Sequence, residues 1–409
     1  MKKTVAVLFG GKSTEHEISV ISALQAMENM DPERYEIVPV YISKSNVLYT
    51  GQILRTIQNY RDIPSLLKKA IPVAFVTDGT RTWLERVPGK RIGSNRIAAV
   101  DVAFPIVHGT NVEDGSLQGF LRLYNLPVVG CDVLSSAVGM DKYVMKQYLL
   151  QEGFPLLPSV RLRSADYADP DASLARIEQA IPYPVIVKPV NLGSSIGISK
   201  ARDRDSLIRA LDSAFSFADT VLVERAIQSL QEVNCSVLGD ETHAEASVLE
   251  EPFANDDILS YRDKYIQGNG GTKKTGAQDQ QSVSGGMASL KRKIPADIPE
   301  PVAEQIRSLA VRAFQSLGCC GVVRIDFMID RADDRNTVYI NEINTIPGSL
   351  AFYLWEPAGL PYRKLLDRLI ELALKRDRQQ ASLTYSFDTN VFALGSGFGG
   401  AKGQKGGKA

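Results

Sequence analysis

The chain has 409 residues and equal numbers of basic and acidic side chains, 47 Lys plus Arg against 47 Asp plus Glu. That length implies two or three domains, while a zero net charge supplies no field to draw the protein onto nucleic acid or an anionic membrane. The four cysteines, Cys131, Cys235 and the adjacent Cys319 and Cys320, match neither a zinc spacing nor a disulfide framework, and no apolar run approaches the roughly 20 residues of a membrane helix, so a cytoplasmic protein with reduced thiols and small-molecule partners is expected.

In chain order, the apolar run Val5 to Phe9 stops at Gly10-Gly11-Lys12-Ser13 and reads as a strand over 4–9 rather than a signal segment. A helix from Glu17 to Met30 follows, then strands at 35–42 and 99–107. This is the pattern of an α/β fold opening on a largely parallel sheet that ends near Cys131. A helix over about 140–152 leads into a second, smaller block. Its strands, at 184–189 and 220–224, flank a glycine-rich loop. In the third block, Val302, Ile306, Leu309, Ala313, Phe314 and Leu317 recur at helical spacing with Gly318 as a stop, predicting an amphipathic helix over 301–317. The division is then 1–131, 132–225 and 226–375, with a 376–409 extension of low complexity at its end. A polar stretch between Tyr265 and Lys291 is too long for an ordinary connection and reads as a lid over 266–290.

Two strands of the third block carry the chemistry. In VVRIDFMI, 322–329, Arg324, Asp326 and Met328 share one face, and in VYINEIN, 338–344, Ile340, Glu342 and Asn344 do so. A turn centred on Asp334 makes them an antiparallel hairpin with Asp326 opposite Glu342, where cross-strand Cβ atoms sit about 4.5–5.5 Å apart. Two facing carboxylates repel unless neutralised. With Asn344 they present the hard oxygen donors that magnesium on nucleotide phosphates takes, although an exposed polar sheet face would use the same residues. Arg324 would stabilise a developing oxyanion or simply pair with a carboxylate.

Lys188 ends an apolar strand ahead of the loop Gly193, Ser194, Ser195, Gly197. Such loops bring backbone N–H groups close to phosphate, and a tight turn would explain the glycines equally well; the spacing is not that of a Walker A motif. A lysine in an apolar strand requires a charged partner, which a phosphate would supply. HGTNVEDG, 108–115, follows a strand, where α/β folds place ligands; a helix-capping loop is its other use. With only three histidines, a multi-histidine metal centre is not supported, and no G-x-S-x-G element points to serine hydrolysis.

From Thr4 to about Lys375 the sequence resembles the D-alanine:D-alanine ligases, three-domain ATP-grasp enzymes. The resemblance is carried by GGKSTEHEIS at 10–19, HGTNVEDGSLQG at 108–119, MDK at 140–142, VIVKP and LGSS within 185–195, RIDF at 324–327 and NEINTIPG at 341–348. It implies that one D-alanine carboxylate is phosphorylated by ATP and the acyl phosphate is attacked by a second molecule's amine. Glu15 would hold the first substrate's ammonium, His108 would lie near its carboxylate, and Ser194 and Tyr265 would form a latch with Glu15. Lys142, Lys188 and Lys264 would meet phosphates, Glu224 the adenine edge and Glu232 the ribose, with Arg225 and Ile227 also in the nucleotide site. Asp326, Glu342 and Asn344 would bind two Mg2+ ions, with Mn2+ as a substitute. Arg324 and the Gly348 N–H would stabilise the tetrahedral oxyanion. A homodimer supplying peptidoglycan precursors is also implied. Three departures stand out: Tyr353 occupies the place of a family serine that helps bind the second substrate, the Glu224 to Glu232 interval is one residue longer, and the lid is longer. A relative using D-lactate or D-serine as acceptor is the alternative enzyme, and a nucleotide-binding protein without turnover the alternative class.

Overall fold

The computed structural model describes residues 2–193, 195–253, 292–332 and 336–385. Ser194, Lys264, Tyr265, the 266–290 stretch, residues 333–335, where a turn centred on Asp334 is expected, and the end of the extension lie outside the described residues. Three sheets organise the rest.

The first sheet contains β1 (Lys3–Gly10), β2 (Tyr35–Ile42), β3 (Leu48–Thr50), β4 (Ile71–Thr77), β5 (Thr82–Arg86), β6 (Arg96–Val100) and β7 (Val102–Pro105), in the order β6-β5-β4-β3-β2-β1-β7. Only β2-β1-β7 is parallel. The expected parallel sheet is therefore its core, and β3 to β6 extend it antiparallel. Short links such as those from β2 to β3 and β4 to β5 reverse the chain, whereas parallel neighbours need a long crossover. The run expected as one strand at 99–107 is divided at Asp101, which bonds Thr4 through its carboxylate at 2.8 Å and its own N–H at 3.0 Å. The helix His16–Asn29 follows β1, as expected.

The second sheet, β8 (Ser159–Arg163), β9 (Val185–Pro189), β10 (Ser199–Ala201) and β11 (Thr220–Arg225), has the order β10-β9-β11-β8. Ahead of it, the helix expected over 140–152 runs Lys142–Gln151, started by Asp141, whose carboxylate accepts the N–H groups of Tyr143 and Val144. A separate helix, Val133–Met140, precedes it.

The third sheet, β12 (Leu230–Gly239), β13 (Ala244–Pro252), β14 (Arg292–Lys293), β15 (Gly321–Asp330) and β16 (Thr337–Asn344), is ordered β14-β13-β12-β15-β16. The helix Glu300–Ser316 covers one face, burying Ile306, Ala310 and Phe314 against Val233, Val323, Ile325 and Phe327. Full burial of a side chain of Ile or Phe size contributes about 1.5–3 kcal/mol, so this face is fixed and the opposite one is left for polar groups. The helix Tyr362–Ala381 then returns to the first sheet, placing Leu365, Leu366, Leu369 and Ile370 in its core.

Candidate active site

The polar face of β15 and β16 is built by alternation. Arg324 and Asp326 project from one side of β15 while Val323, Ile325 and Phe327 enter the core. Asp326 lies opposite Glu342 and Arg324 opposite Asn344, as the sequence predicts. The register then shifts, and Phe327 faces Ile340. This bulge corrects the placing of Ile340, which is fully buried in the core rather than beside Glu342. The extra residue is Asn341.

Arg324 Nε and Nη2 each bond an Asp326 oxygen at 2.7 Å, and Asn344 Nδ2 donates to Asp326 Oδ2 at 3.1 Å. Burial would lower the Arg324 pKa, but the Asp326 carboxylate outweighs it and holds the guanidinium charged. Lys142 Nζ stands 3.2 Å from Glu342 Oε2 and donates to the Leu192 carbonyl at 2.7 Å. Lys188 Nζ lies 2.5 Å from Glu224 Oε2 and donates to Asn341 Oδ1 at 3.1 Å. Glu224 takes a second lysine, Lys146, at 2.8 Å. Burial pushes the Glu224 carboxyl up and the two ammoniums pull it below its ordinary value; burial leaves Lys188 below its own.

A second group of residues fastens the first sheet's loops to the chain after β16. His108 Nδ1 donates to the Ile346 carbonyl at 3.0 Å, which leaves Nε2 to accept from the Ser22 hydroxyl at 3.1 Å. Burial lowers the His108 pKa to about 4, so the ring is neutral. Glu113 Oε2 accepts the Gly109 N–H at 2.9 Å and Oε1 the Ile346 N–H at 3.0 Å. Burial raises its pKa to about 8. Ser349 donates its N–H to Ser22 Oγ at 3.0 Å and its hydroxyl to Gln25 Oε1 at 2.7 Å. These bonds hold Ser349, Leu350 and Ala351 in left-handed backbone, with φ of 51°, 53° and 50°. Each non-glycine residue there costs about 1–2 kcal/mol. Glu15, 7% exposed, precedes the first helix and packs against the glycine-rich loop. A Cβ at Gly193 would stand 2.8 Å from Glu15 Oε2, so only glycine permits that approach.

The profile described as D-ala D-ala ligase N-terminus matches residues 4–131, and that described as D-ala D-ala ligase C-terminus matches 149–371. The D-alanine–D-alanine ligase of Caldicellulosiruptor bescii is 41% identical over 395 residues, covering 94% of this chain and 99% of that protein. The chain belongs to the D-alanine–D-alanine ligase family. A second ligase, from Pelodictyon phaeoclathratiforme, is 40% identical over 91% of this chain and 98% of its own length. Among solved structures, the D-alanine-D-alanine ligase from Coxiella burnetii superposes with a TM-score of 0.74 at 31% identity, covering 93% of this chain and 96% of its own. The VanG D-Ala:D-Ser ligase from Enterococcus faecalis gives 0.73 at 30% identity, covering 91% and 100%. The fold is accordingly the mixed α/β fold of the ATP-grasp ligases.

Within this ligase-family chain, the described site residues form a connected set. Arg324, Asp326, Glu342, Asn344, Lys142, Lys188 and Glu224 form one polar surface, and the Arg324 charge reaches His108 on the adjoining loop. At the outer end of the sheet, Ile227 packs with Leu157 and Met328, Glu232 lies opposite Met328, and Arg225 pairs with Asp330 at 3.1 Å. Sequence reasoning missed Lys146, Asn341, Glu113 and Ser22. Lys146 carried a signal, since it follows Lys142 by one helical turn on the same face. Asn341 carried none.

Proposed function

We propose that this chain joins two D-alanines to D-alanyl-D-alanine with hydrolysis of ATP to ADP and phosphate, supplying peptidoglycan precursors. The observation that carries the reading is the continuous polar surface from Lys188 and Lys142 across Glu342 and Asp326 to Arg324, bordered by Glu15 and His108. The donor carboxylate attacks the γ-phosphorus and ADP leaves, giving an acyl phosphate. The acceptor amine attacks its carbonyl carbon, loses a proton, and phosphate departs from the tetrahedral centre. Phosphorylation turns a poor electrophile into one with a good leaving group.

Lys142 and Lys188 bind phosphate oxygens in this scheme, and Glu224 with Lys146 positions Lys188. The adenine lies along Ile227, beside Leu157 and Met328, with Glu232 at the ribose. Glu15 takes the donor ammonium. Arg324 and the Gly348 N–H face the tetrahedral oxyanion. Asp326 and Glu342 face each other across the hairpin and the Asn344 amide bonds Asp326, a set of hard oxygen donors that would hold Mg2+. When bound, the ion supplies charge neutralisation at the transferred phosphoryl group. The three-domain division at 131 and 225, a homodimer and a cytoplasmic location complete the reading.

The test is ADP release and product mass with D-alanine alone, compared with D-alanine plus D-serine or D-lactate. Dipeptide from D-alanine alone is expected. Product only with another acceptor would favour the alternative suggested by the likeness to VanG D-Ala:D-Ser ligase and by Tyr353, and no turnover would favour the binding protein. Chromatography at twice the chain mass checks the dimer.

A further inference from the structure

Two loops leave the parallel core of the first sheet side by side, because β1 pairs with β7. The loop after β1 ends at Glu15 and the loop after β7 carries His108, so the two groups that the proposed scheme gives to the donor stand at the mouths of neighbouring strands. One side chain joins them. Ser13 Oγ donates to the His108 carbonyl at 2.6 Å and accepts the Glu15 N–H at 3.0 Å, which uses the hydroxyl's single donor and one of its lone pairs. On the other side of the residue, the Glu15 carbonyl accepts the Ser19 N–H at 3.1 Å, and the helix that starts there takes no cap bond from the Glu15 side chain. The Glu15 backbone is thus pinned at both ends. The approach of the loops is close: a Cβ on Gly109 would run into Ser13 Oγ and stand 3.1 Å from Glu15 Oε2, and with φ of 85° the position suits glycine alone.

A second tie joins the same loops, where Asn111 Nδ2 donates to the Lys12 carbonyl at 3.0 Å. That bond ends on neither Glu15 nor His108, whereas both bonds of Ser13 do. The His108 ring is fixed separately, by Ile346 and Ser22, so the ring bonds orient the imidazole and the Ser13 bonds set its loop against Glu15. An amino acid carries its ammonium and its carboxylate on one carbon. The groups that receive them must therefore keep one separation, and a displacement of about 1 Å near a reacting centre costs on the order of a hundredfold. We infer that Ser13 is the positioning residue of the donor end, its hydroxyl holding the Glu15 carboxylate in register with His108 so that the donor is gripped at both of its charged ends. Ser13 itself touches neither reactant. It is half-buried and both of its partners are main-chain groups, so its removal shifts two loops and opens no core.

This inference rests on the reading of Glu15 as the group for the donor ammonium, and the experiment separates the two. D-Alanine is titrated calorimetrically into the full chain saturated with Mg2+ and the non-hydrolysable analogue adenylyl imidodiphosphate, so that binding is read without turnover. Glu15→Gln comes first and should remove a D-alanine binding step; a titration like that of the unmodified protein overturns the Glu15 reading and this inference with it. Ser13→Ala should then weaken that same step about tenfold, with the affinity for the nucleotide analogue within about twofold and the melting temperature little changed. Ser13→Thr, which keeps the hydroxyl, should bring the step back to within about threefold of the unmodified protein. Asn111→Gly removes the other tie and suits the φ of 68° at that position; it should leave D-alanine binding in place. Unchanged binding in Ser13→Ala overturns the inference alone. So does a loss in Ser13→Thr equal to that in Ser13→Ala, since the hydroxyl would then carry nothing, and so does an equal loss in Asn111→Gly, since any bond between the loops would then serve.

Discussion

The hairpin face and the seam between the first sheet and the 345–351 turn border the same site but are held by different forces. On the hairpin face, charges hold charges: Arg324 with Asp326, Lys142 with Glu342, Lys146 and Lys188 with Glu224. At the seam, hydroxyls, a neutral imidazole and backbone groups hold one another through Ser22, Gln25, His108 and Ser349, with Glu113 as the one carboxyl. Charged pairs can exchange partners: in the proposed scheme the lysines would turn to phosphate and the carboxylates to a cation. The seam has nothing to exchange. It fixes the strained turn that follows Gly348. Substitutions on the hairpin face should therefore remove chemistry and spare the fold where no charge is stranded, and substitutions at the seam should cost both.

The sharpest test of that contrast is Glu342→Gln. The side chain keeps its shape but loses the charge that a cation would need, and its partner Lys142 still has the Leu192 carbonyl. Turnover should fall about a thousandfold or more, given the several kcal/mol that a polarising ion supplies, while the melting temperature changes little. ADP release beside a thermal melt checks it; near-normal activity would mean the metal site is misplaced.

Asp326→Asn should break the rule that the hairpin face tolerates substitution. Arg324 is 9% exposed and Asp326 supplies both of its 2.7 Å contacts. Removing that charge strands a buried guanidinium, which costs about 3–5 kcal/mol. Urea unfolding should show this loss in Asp326→Asn and not in Glu342→Gln. Equal stability of the two variants would mean that the guanidinium is solvated.

On the seam side, Glu113→Ala leaves the Gly109 and Ile346 N–H groups buried without acceptors. At about 1–3 kcal/mol for each such group, stability should fall by roughly 3 kcal/mol, and kcat should fall with it because the Gly348 turn loosens. The KM for ATP should hold. A rise in that KM alone would place Glu113 with the nucleotide instead.

These two regions were also unequally legible. The pairing of Asp326 with Glu342 and of Arg324 with Asn344 follows from strand alternation and the position of one turn, so it could be read directly. The bulge at Asn341 could not, because alternation has no mark for an extra residue, and Ile340 was misplaced with it. Lys146 went unread, although it follows Lys142 by one helical turn. Glu113 lay in view within HGTNVEDG but read as loop polarity, since its partner Ile346 is 233 residues away and no local rule pairs them. The antiparallel half of the first sheet was missed for a simpler reason: its strands between 48 and 86 are short and weakly patterned.

The smallest effect concerns acid sensitivity at the seam, and its sign is fixed by the neutrality of His108. Burial places its pKa at about 4 in the fold against the ordinary 6.5. Between those values the unfolded chain binds a proton that the folded one refuses. The contribution is therefore fully present above pH 6.5 and drains away as the pH falls toward 4, amounting to about 2 kcal/mol by pH 5. His108→Gln cannot take up that proton. It should start less stable at pH 7, because the bonds to Ile346 and Ser22 are disturbed, yet lose about 2 kcal/mol less than the unmodified protein on going to pH 5. Since His16, also lowered by burial, is present in both proteins, the difference in slope isolates His108. Parallel losses in urea unfolding at the two pH values would mean that the imidazole is charged in the fold, and the seam would then be a second set of charged pairs rather than a neutral frame.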